Sequence, residues 1–323
     1  MIALVFTGGT ISMRNDPASG GAVPTLRGDA ILASAPGVAT IAEVVVDEWA
    51  TMPGAHLTVS QLWALRSRIA ELVARDDIDG VVVAQGTDTI EETAYLTHRS
   101  LRTDKPIVFT GAMRTSDDVS WDGPANLTDS VRVAASSALR GAGVLVVFNG
   151  RVYTASDVTK VETFHIDAFD SPGVGPIAVL DGDCVQVRRR PAAERPLIVP
   201  GAGPLSPVDI IYASAGADDR LLDAVIASAR GVVVAALGRG NLPFAMYEGV
   251  RRCLAAGLPV VVTSRVPRGR VGPTYAFPGG GRSLADAGAI LAGALRPPQA
   301  RIDLMLALGA GYSGDRLAAV FDP

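Results

Sequence analysis

The stretch VVVAQGTDTIEETAYL, residues 81–96, decides the reading of the fold. It opens on branched apolar side chains with no polar alternation, which suits a strand buried on both faces of a parallel sheet. Gln85-Gly86 breaks the run, and Thr87-Asp88-Thr89 then brings two hydroxyls and a carboxylate together. Thr89-Ile90-Glu91-Glu92 has the form of a capping box and predicts that a helix starts there. In open parallel sheets ligands bind beyond the carboxyl ends of the strands, so this turn is where a site is expected. Helix capping alone accounts for part of it, but three cap-capable residues exceed what one helix start needs.

The same texture extends in both directions. Apolar runs at 2–6 (IALVF), 106–109 (PIVF) and 144–148 (VLVVF) predict three more buried strands. Ser60 is placed to cap a helix whose Leu62, Leu65, Ile69, Leu72 and Val73 recur at helical spacing, and another helix is expected from about Pro124 to Leu139. The stretch 188–207 holds five prolines and reads as a connection. Beyond it, strands are expected at 208–213, 231–237 and 258–263, and helices at 219–229, 243–256 and 297–308, with Gly257 and Gly309 as stops. The expected fold is two-domain α/β: a larger N-terminal parallel-sheet domain over 1–190, a linker over 191–207 and a smaller C-terminal α/β domain over 208–323. One large α/β domain is the alternative.

Composition narrows the function. The chain has 323 residues, 48% hydrophobic and 19% charged, which excludes intrinsic disorder. A net charge of −4 argues against a general grip on nucleic acid or anionic lipid. Cys184 and Cys253 make neither a disulfide framework nor a CxxC pair, and His56, His98 and His165 are scattered, so no metal is expected. No basic n-region with an apolar core of about 7–15 residues and no apolar run of about 18 is present, so a cytoplasmic protein with no membrane partner is expected. A phosphate-binding GxxxxGK[ST], a GxGxxG following a strand and a GxSxG elbow are absent.

Two further strand ends carry chemistry. Thr7-Gly8-Gly9-Thr10 places a hydroxyl behind two glycines, which suits an exposed nucleophile beside free backbone N–H groups, a phosphate cradle or a plain turn. The run at 144–148 leads to Asp157-Val158-Thr159-Lys160. Only two of the 29 basic residues are lysine, Lys105 and Lys160. Arginine cannot serve as a base, so a surviving lysine is a candidate for proton transfer. To act near neutrality it must lose roughly three pKa units, a cost of about 4 kcal/mol. A solvated surface lysine is the simpler reading of Lys160 by itself. The arginine-rich segments 188–190 and 265–270 read as solvated faces.

FTGGTIS at 6–12, QGTDTIEETAY at 85–95, TGAMR at 110–114, WDGPANL at 121–127, SDVTK at 156–160 and GRGN at 238–241 occur in this order. Together they resemble the bacterial-type L-asparaginases, two-domain threonine amidohydrolases. The resemblance implies Thr10 as the nucleophile, Thr87 working with Lys160 as a hydroxyl–amine relay, and Asp88 holding the substrate's α-amino group. It implies substrate contacts at Gly9, Gly54, Gly86, Asp88, Ala112 and Asn241, the last completing a neighbouring subunit's site in a homodimer or homotetramer. No metal or organic cofactor is implied.

Several positions depart from the family pattern. The loop after TGGT lacks the expected tyrosine around Gly21-Ala22-Val23-Pro24, and Gly54 stands where a carboxylate-binding serine is expected. Gly279-Gly280-Gly281 replaces an acidic residue, and Gln85 stands where histidine is common. Arg14, Asp16 and Ser19 are candidates to supply replacement contacts. The expected function is hydrolysis of a side-chain amide, asparagine to aspartate plus ammonia, through a threonine acyl-enzyme. The alternatives are the same chemistry on another amide, a lactam or an ester, with a pocket enlarged by the glycines, or a non-catalytic small-molecule binding protein.

Overall fold

A computed structural model describes residues 1–191, 196–197 and 203–321. The chain divides into two compact units, Met1–Pro196 and Leu197–Pro323. Most of the expected linker, 192–195 and 198–202, lies outside the described residues.

In the first unit the strands are β1 (Ile2–Phe6), β2 (Met13–Asp16), β3 (Gly21–Pro24), β4 (Val44–Glu48), β5 (Gly80–Ala84), β6 (Ile107–Thr110), β7 (Val144–Phe148), β8 (Arg151–Thr154), β9 (Thr159–Lys160), β10 (Phe169–Asp170), β11 (Ala178–Asp181) and β12 (Cys184–Val187). Eight of them form one sheet in the order β12-β11-β8-β7-β6-β5-β1-β4. The pairs from β4 across to β7 are parallel, as the apolar runs predicted. The pairs β7–β8, β8–β11 and β11–β12 are antiparallel, so the sheet is mixed and not purely parallel. The reason is local: Asn149-Gly150 makes a two-residue turn with φ of 47° and 69°, which folds β8 back on β7 as a hairpin.

Side chains of β1 alternate between two cores. Ile2, Leu4 and Phe6 pack with residues of the helix at 123–135, whereas Ala3 and Val5 pack with Leu65, Ile69 and Leu72. A strand apolar on both faces is therefore covered on both faces. The helices are α1 (Gly28–Ala33), α2 (Val38–Ile41), α3 (Val59–Val73), α4 (Ile90–Ser100) and α5 (Gly123–Ala135). Thr58, not Ser60, caps α3: its hydroxyl accepts from the Gln61 backbone N–H while the Gln61 side chain returns to the Thr58 N–H. α5 stops at Ala135, before the expected Leu139, and a short 3₁₀ turn covers Ser137–Leu139.

The second unit carries a parallel sheet ordered β13 (Val208–Tyr212), β14 (Gly231–Ala236), β15 (Val260–Ser264) and β16 (Ile290–Leu291). Its helices are α6 (Arg220–Val225), α7 (Phe244–Ala255), α8 (Gly281–Asp286), α9 (Pro297–Gly309) and α10 (Gly314–Ala318). α6 is shorter than the expected 219–229. Gly257 follows α7 at φ 78°, as a left-handed stop should. At α9 the left-handed glycine is Gly311, not Gly309. Gly309 is the last residue of the helix, and packing is what requires glycine there, since a β-carbon would strike the Gly203 carbonyl. Among the described residues no helix is long and apolar enough to cross a membrane.

Candidate active site

The expected site residues of the first unit follow strand ends, and glycines bring those ends together. After β1, Gly8 and Gly9 take φ of 99° and 84°, a region that favours glycine. The turn is stitched on both sides: Thr7 N–H donates to Ala84 O (3.0 Å), Met52 N–H to Thr7 O (3.1 Å) and Gly9 N–H to Met52 O (3.0 Å). A β-carbon on Gly9 would collide with the Gly86 backbone, and one on Gly86 would lie 2.6 Å from Gly54 N. Three turns thus pack backbone on backbone, and Thr10 and Thr87 each follow one of the touching glycines.

Gly54 is correspondingly not a vacancy left by a smaller side chain. A β-carbon at position 54 would sit 2.7 Å from Gly86 O. That direction is already filled, so glycine there adds no room for a larger substrate. The same holds in the second unit for Gly279, Gly280 and Gly281, whose β-carbons would strike the carbonyls of Leu242, Tyr275 and Gly272.

The turn after β5 is a 3₁₀ segment, Thr87–Thr89, leading into α4. No side-chain cap bond forms at Thr89, contrary to the capping-box reading. Its hydroxyl donates instead to Gly54 O across the stack (3.0 Å). Thr87 is buried at 5% exposure and Asp88 is exposed. Lys160 reaches them from β9: its Nζ donates to Thr87 Oγ1 at 2.9 Å and pairs with Asp88 Oδ1 at 2.7 Å. The lysine backbone is fixed as well, because Lys160 N–H donates to Glu91 Oε2 (3.1 Å) and β9 pairs with β10. Glu91, read from the sequence as a helix-start residue, is a bridge between α4 and β9. A cavity of about 290 Å3 opens beside this group, lined by Asp88, Lys160, Val161, Glu162 and Thr163.

The other lysine is a contrast. Lys105 Nζ donates to Arg75 O at 2.6 Å on the exposed surface.

Two braces were not legible as such. Asp122, quoted only as part of WDGPANL, accepts from the N–H groups of Met113 (3.0 Å) and Arg114 (3.0 Å) and so shapes the TGAMR turn. Asn126, 3% exposed, links that turn to the β7 end: its Nδ2 donates to Gly111 O (3.0 Å) and its Oδ1 accepts from Asn149 N–H (3.0 Å). An Asp and an Asn four residues apart at a helix start were the available signal. Arg189, read as part of a solvated face, is half-buried; its Nη2 donates to Asp157 Oδ2 (3.3 Å) and Gly175 O (3.0 Å) behind the lysine strand.

Ala112 is 1% exposed and its side chain belongs to the apolar core. Asn241 lies in the second unit, in the turn after β14, with its Oδ1 buried and without a hydrogen-bond partner. Residues 13–24 form a hairpin, β2 with β3. Arg14 Nε donates to Ser116 Oγ (3.3 Å), but the Asp16 carboxylate accepts from Ala18 and Ser19 N–H within its own turn (3.1 Å each). Those N–H groups, Ala18 first, hold the Asp16 carboxyl below its usual range. Asp16 and Ser19 are thereby engaged in shaping the hairpin tip. Among the described residues no cluster of His, Cys, Asp and Glu could hold a metal ion.

Residues 1–193 match the model of the asparaginase N-terminal domain, and residues 207–321 match that of the glutaminase/asparaginase C-terminal domain. The chain belongs to the asparaginase family. A probable L-asparaginase of Deinococcus radiodurans is 38% identical over 99% of this chain and 96% of its own length. A probable periplasmic L-asparaginase of Haemophilus influenzae is 32% identical over 95% of this chain and 88% of its own length. The crystal structure of a probable cytoplasmic L-asparaginase from Campylobacter jejuni superposes with a TM-score of 0.89 at 31% identity, covering 99% of this chain and 98% of that one. The two-domain α/β architecture is thus that of the solved structure of a probable asparaginase.

Proposed function

We propose that this asparaginase hydrolyses the side-chain amide of L-asparagine to aspartate and ammonia through a threonine ester. The observation that carries the reading is Lys160 Nζ bonded at once to Thr87 Oγ1 (2.9 Å) and to Asp88 (2.7 Å). In the proposed cycle Thr10 Oγ attacks the amide carbonyl carbon and the C–N bond breaks. Ammonia carries off the nitrogen, and water then cleaves the acyl-threonine ester and restores the hydroxyl. Backbone N–H groups at the Gly9 and Thr87 turns are the candidate donors to the oxyanion.

The substrate's α-ammonium group is proposed to take over the Asp88 carboxylate. It then sets a second cation beside Lys160, a like-charge contact that proton transfer away from the lysine relieves. Thr87, buried and in contact with Lys160, is the proposed conductor of that proton to the departing amide nitrogen, which leaves as ammonia, while the proton of Thr10 Oγ passes to the lysine amine. Asn241 and the homodimer or homotetramer it serves remain part of this proposal, as does residence in the cytoplasm. The packing of Gly54 on Gly86 speaks against the enlarged-pocket alternative.

Ammonia release by the purified chain, with L-asparagine, L-glutamine and larger amides compared, tests the reading. Asparagine is expected to be the best substrate, and Thr10→Ala is expected to lower kcat by at least roughly 10²–10⁴-fold with an unchanged melt. Full activity of Thr10→Ala, or turnover of a larger amide in preference to asparagine, would overturn it.

A further inference from the structure

We propose that Gln85 is a positioning residue, which through Thr89 holds the turn at 52–56 in register with the Gly9 and Gly86 turns; the proposal deepens the functional reading above and rests on it for its kinetic consequence. Gln85 is wholly buried, at 0% exposure, at the end of β5. Its Nε2 donates to Thr89 Oγ1 (3.0 Å) and to Thr93 Oγ1 (2.9 Å).

The orientation of that amide follows from proton bookkeeping. A threonine hydroxyl has one proton. The Thr89 proton goes to Gly54 O (3.0 Å) and the Thr93 proton to Thr89 O (3.0 Å). Both hydroxyls can therefore only accept from Gln85, which requires its NH₂ on that side and its Oε1 on the other. Oε1 is left buried with no hydrogen-bond partner.

A buried acceptor without a donor lowers stability, so an apolar side chain of the same length would serve the core better than glutamine does. What glutamine adds is direction. By occupying the lone-pair side of Thr89 Oγ1 it aims that hydroxyl's proton at Gly54 O. The chain of donors Gln85 to Thr89 to Gly54 ties the β5 end to the turn that interlocks with Gly86. Thr89 also directly follows Asp88, so the same tie steadies the residue proposed to receive the substrate's ammonium group.

Gln85→Met and Thr89→Val both remove the tie, the second leaving a Gln85 N–H without its acceptor, and Thr89→Ser keeps it. Hydrogen exchange read by mass spectrometry over 50–57 reports on the turn whether or not the chain turns over asparagine. In Gln85→Met and Thr89→Val the amides of Met52 and Leu57, which donate to Thr7 O and Gly54 O, are expected to exchange about tenfold faster, with a melting temperature for Gln85→Met equal to or above that of the unaltered chain. Thr89→Ser is expected to exchange as the unaltered chain does. With L-asparagine, kcat/KM is expected to fall about ten- to a hundredfold, mostly through KM.

Unchanged exchange over 50–57 in both variants, or a melting temperature of Gln85→Met that falls in step with its activity, would overturn the positioning role. Should Gln85→Met fail to fold, Thr89→Val decides. If the unaltered chain hydrolyses no asparagine, the functional proposal fails, and the exchange measurement still decides the role of Gln85.

Discussion

The glycine stack and the 13–24 hairpin are built by opposite means. At Gly9, Gly54 and Gly86 three buried turns meet backbone to backbone, so close that none tolerates a β-carbon without displacement. The hairpin is largely exposed beyond Met13 and is held by a few hydrogen bonds to the 115–118 segment: Ser116 N–H to Met13 O (2.9 Å), Arg14 to Ser116, and Asn15 N–H and Nδ2 to Asp117 Oδ2 (3.0 Å each). Overdetermined backbone suits groups that must meet at hydrogen-bond range, and a lightly tethered hairpin suits a part that must let substrate in and out.

The sharpest way to break this division is to remove chemistry from the rigid side and a tether from the other. Lys160→Met is expected to lower kcat roughly 10²–10⁴-fold while leaving the melt nearly unchanged. Arg14→Ala is expected to leave kcat within about threefold and to act on KM, as an exposed contact should. Steady-state ammonia release on both variants decides, and equal losses in kcat would dissolve the distinction.

A paired glycine substitution sharpens it further. Gly86→Ala drives a β-carbon into Gly54 and is expected to destabilise the fold by about 1–3 kcal/mol. Gly20→Ala, at φ 69° in the hairpin tip with no heavy atom within 4 Å of the added carbon, carries only the left-handed backbone cost of about 1 kcal/mol. Denaturant melts compare the two, and an equal or greater cost at Gly20 would contradict the packing argument.

The smallest effect is in acid. The Thr115 hydroxyl first, and then the Asn15 N–H, hold the Asp117 carboxyl below its usual range. A lowered folded-state pKa contributes docking that is complete above the ordinary value of about 3.9 and is lost as pH falls through the lowered one. The stack contacts involve no titrating group. Hydrogen-exchange protection over 13–24, corrected for the intrinsic pH dependence of exchange, is therefore expected to fall below about pH 4 in the unaltered chain and to be already lower there and at higher pH in Asn15→Ala. A flat protection profile across this range would remove Asp117 as a tether.

Much of this was legible in the residues. Apolar runs without alternation marked β1, β5, β6 and β7 as buried parallel strands, because burial on both faces leaves no place for a polar side chain. TGGT, GTDT and the rare Lys160 marked the turns and the cation that meet. What escaped was whatever depends on partners distant in sequence. β8, β11 and β12 turn the sheet antiparallel through a short hairpin that no apolar pattern announces. Thr89 looks like a helix cap until Gly54 is seen beside it. Gln85 looks like a substituted histidine until its donors are traced.

Local composition and order by themselves determined that the chain forms alternating strands and helices in two α/β units, with hydroxyls and a carboxylate just past strand ends, since burial and turn chemistry act over neighbouring residues. Only the tertiary structure decided which turn touches which: that a lysine 73 residues from Thr87 lies 2.9 Å from its hydroxyl, and that Gly54 is a packing surface and not a gap. Distances of that kind are set by the sheet order and by backbone contact between turns, and neither is written in any single segment.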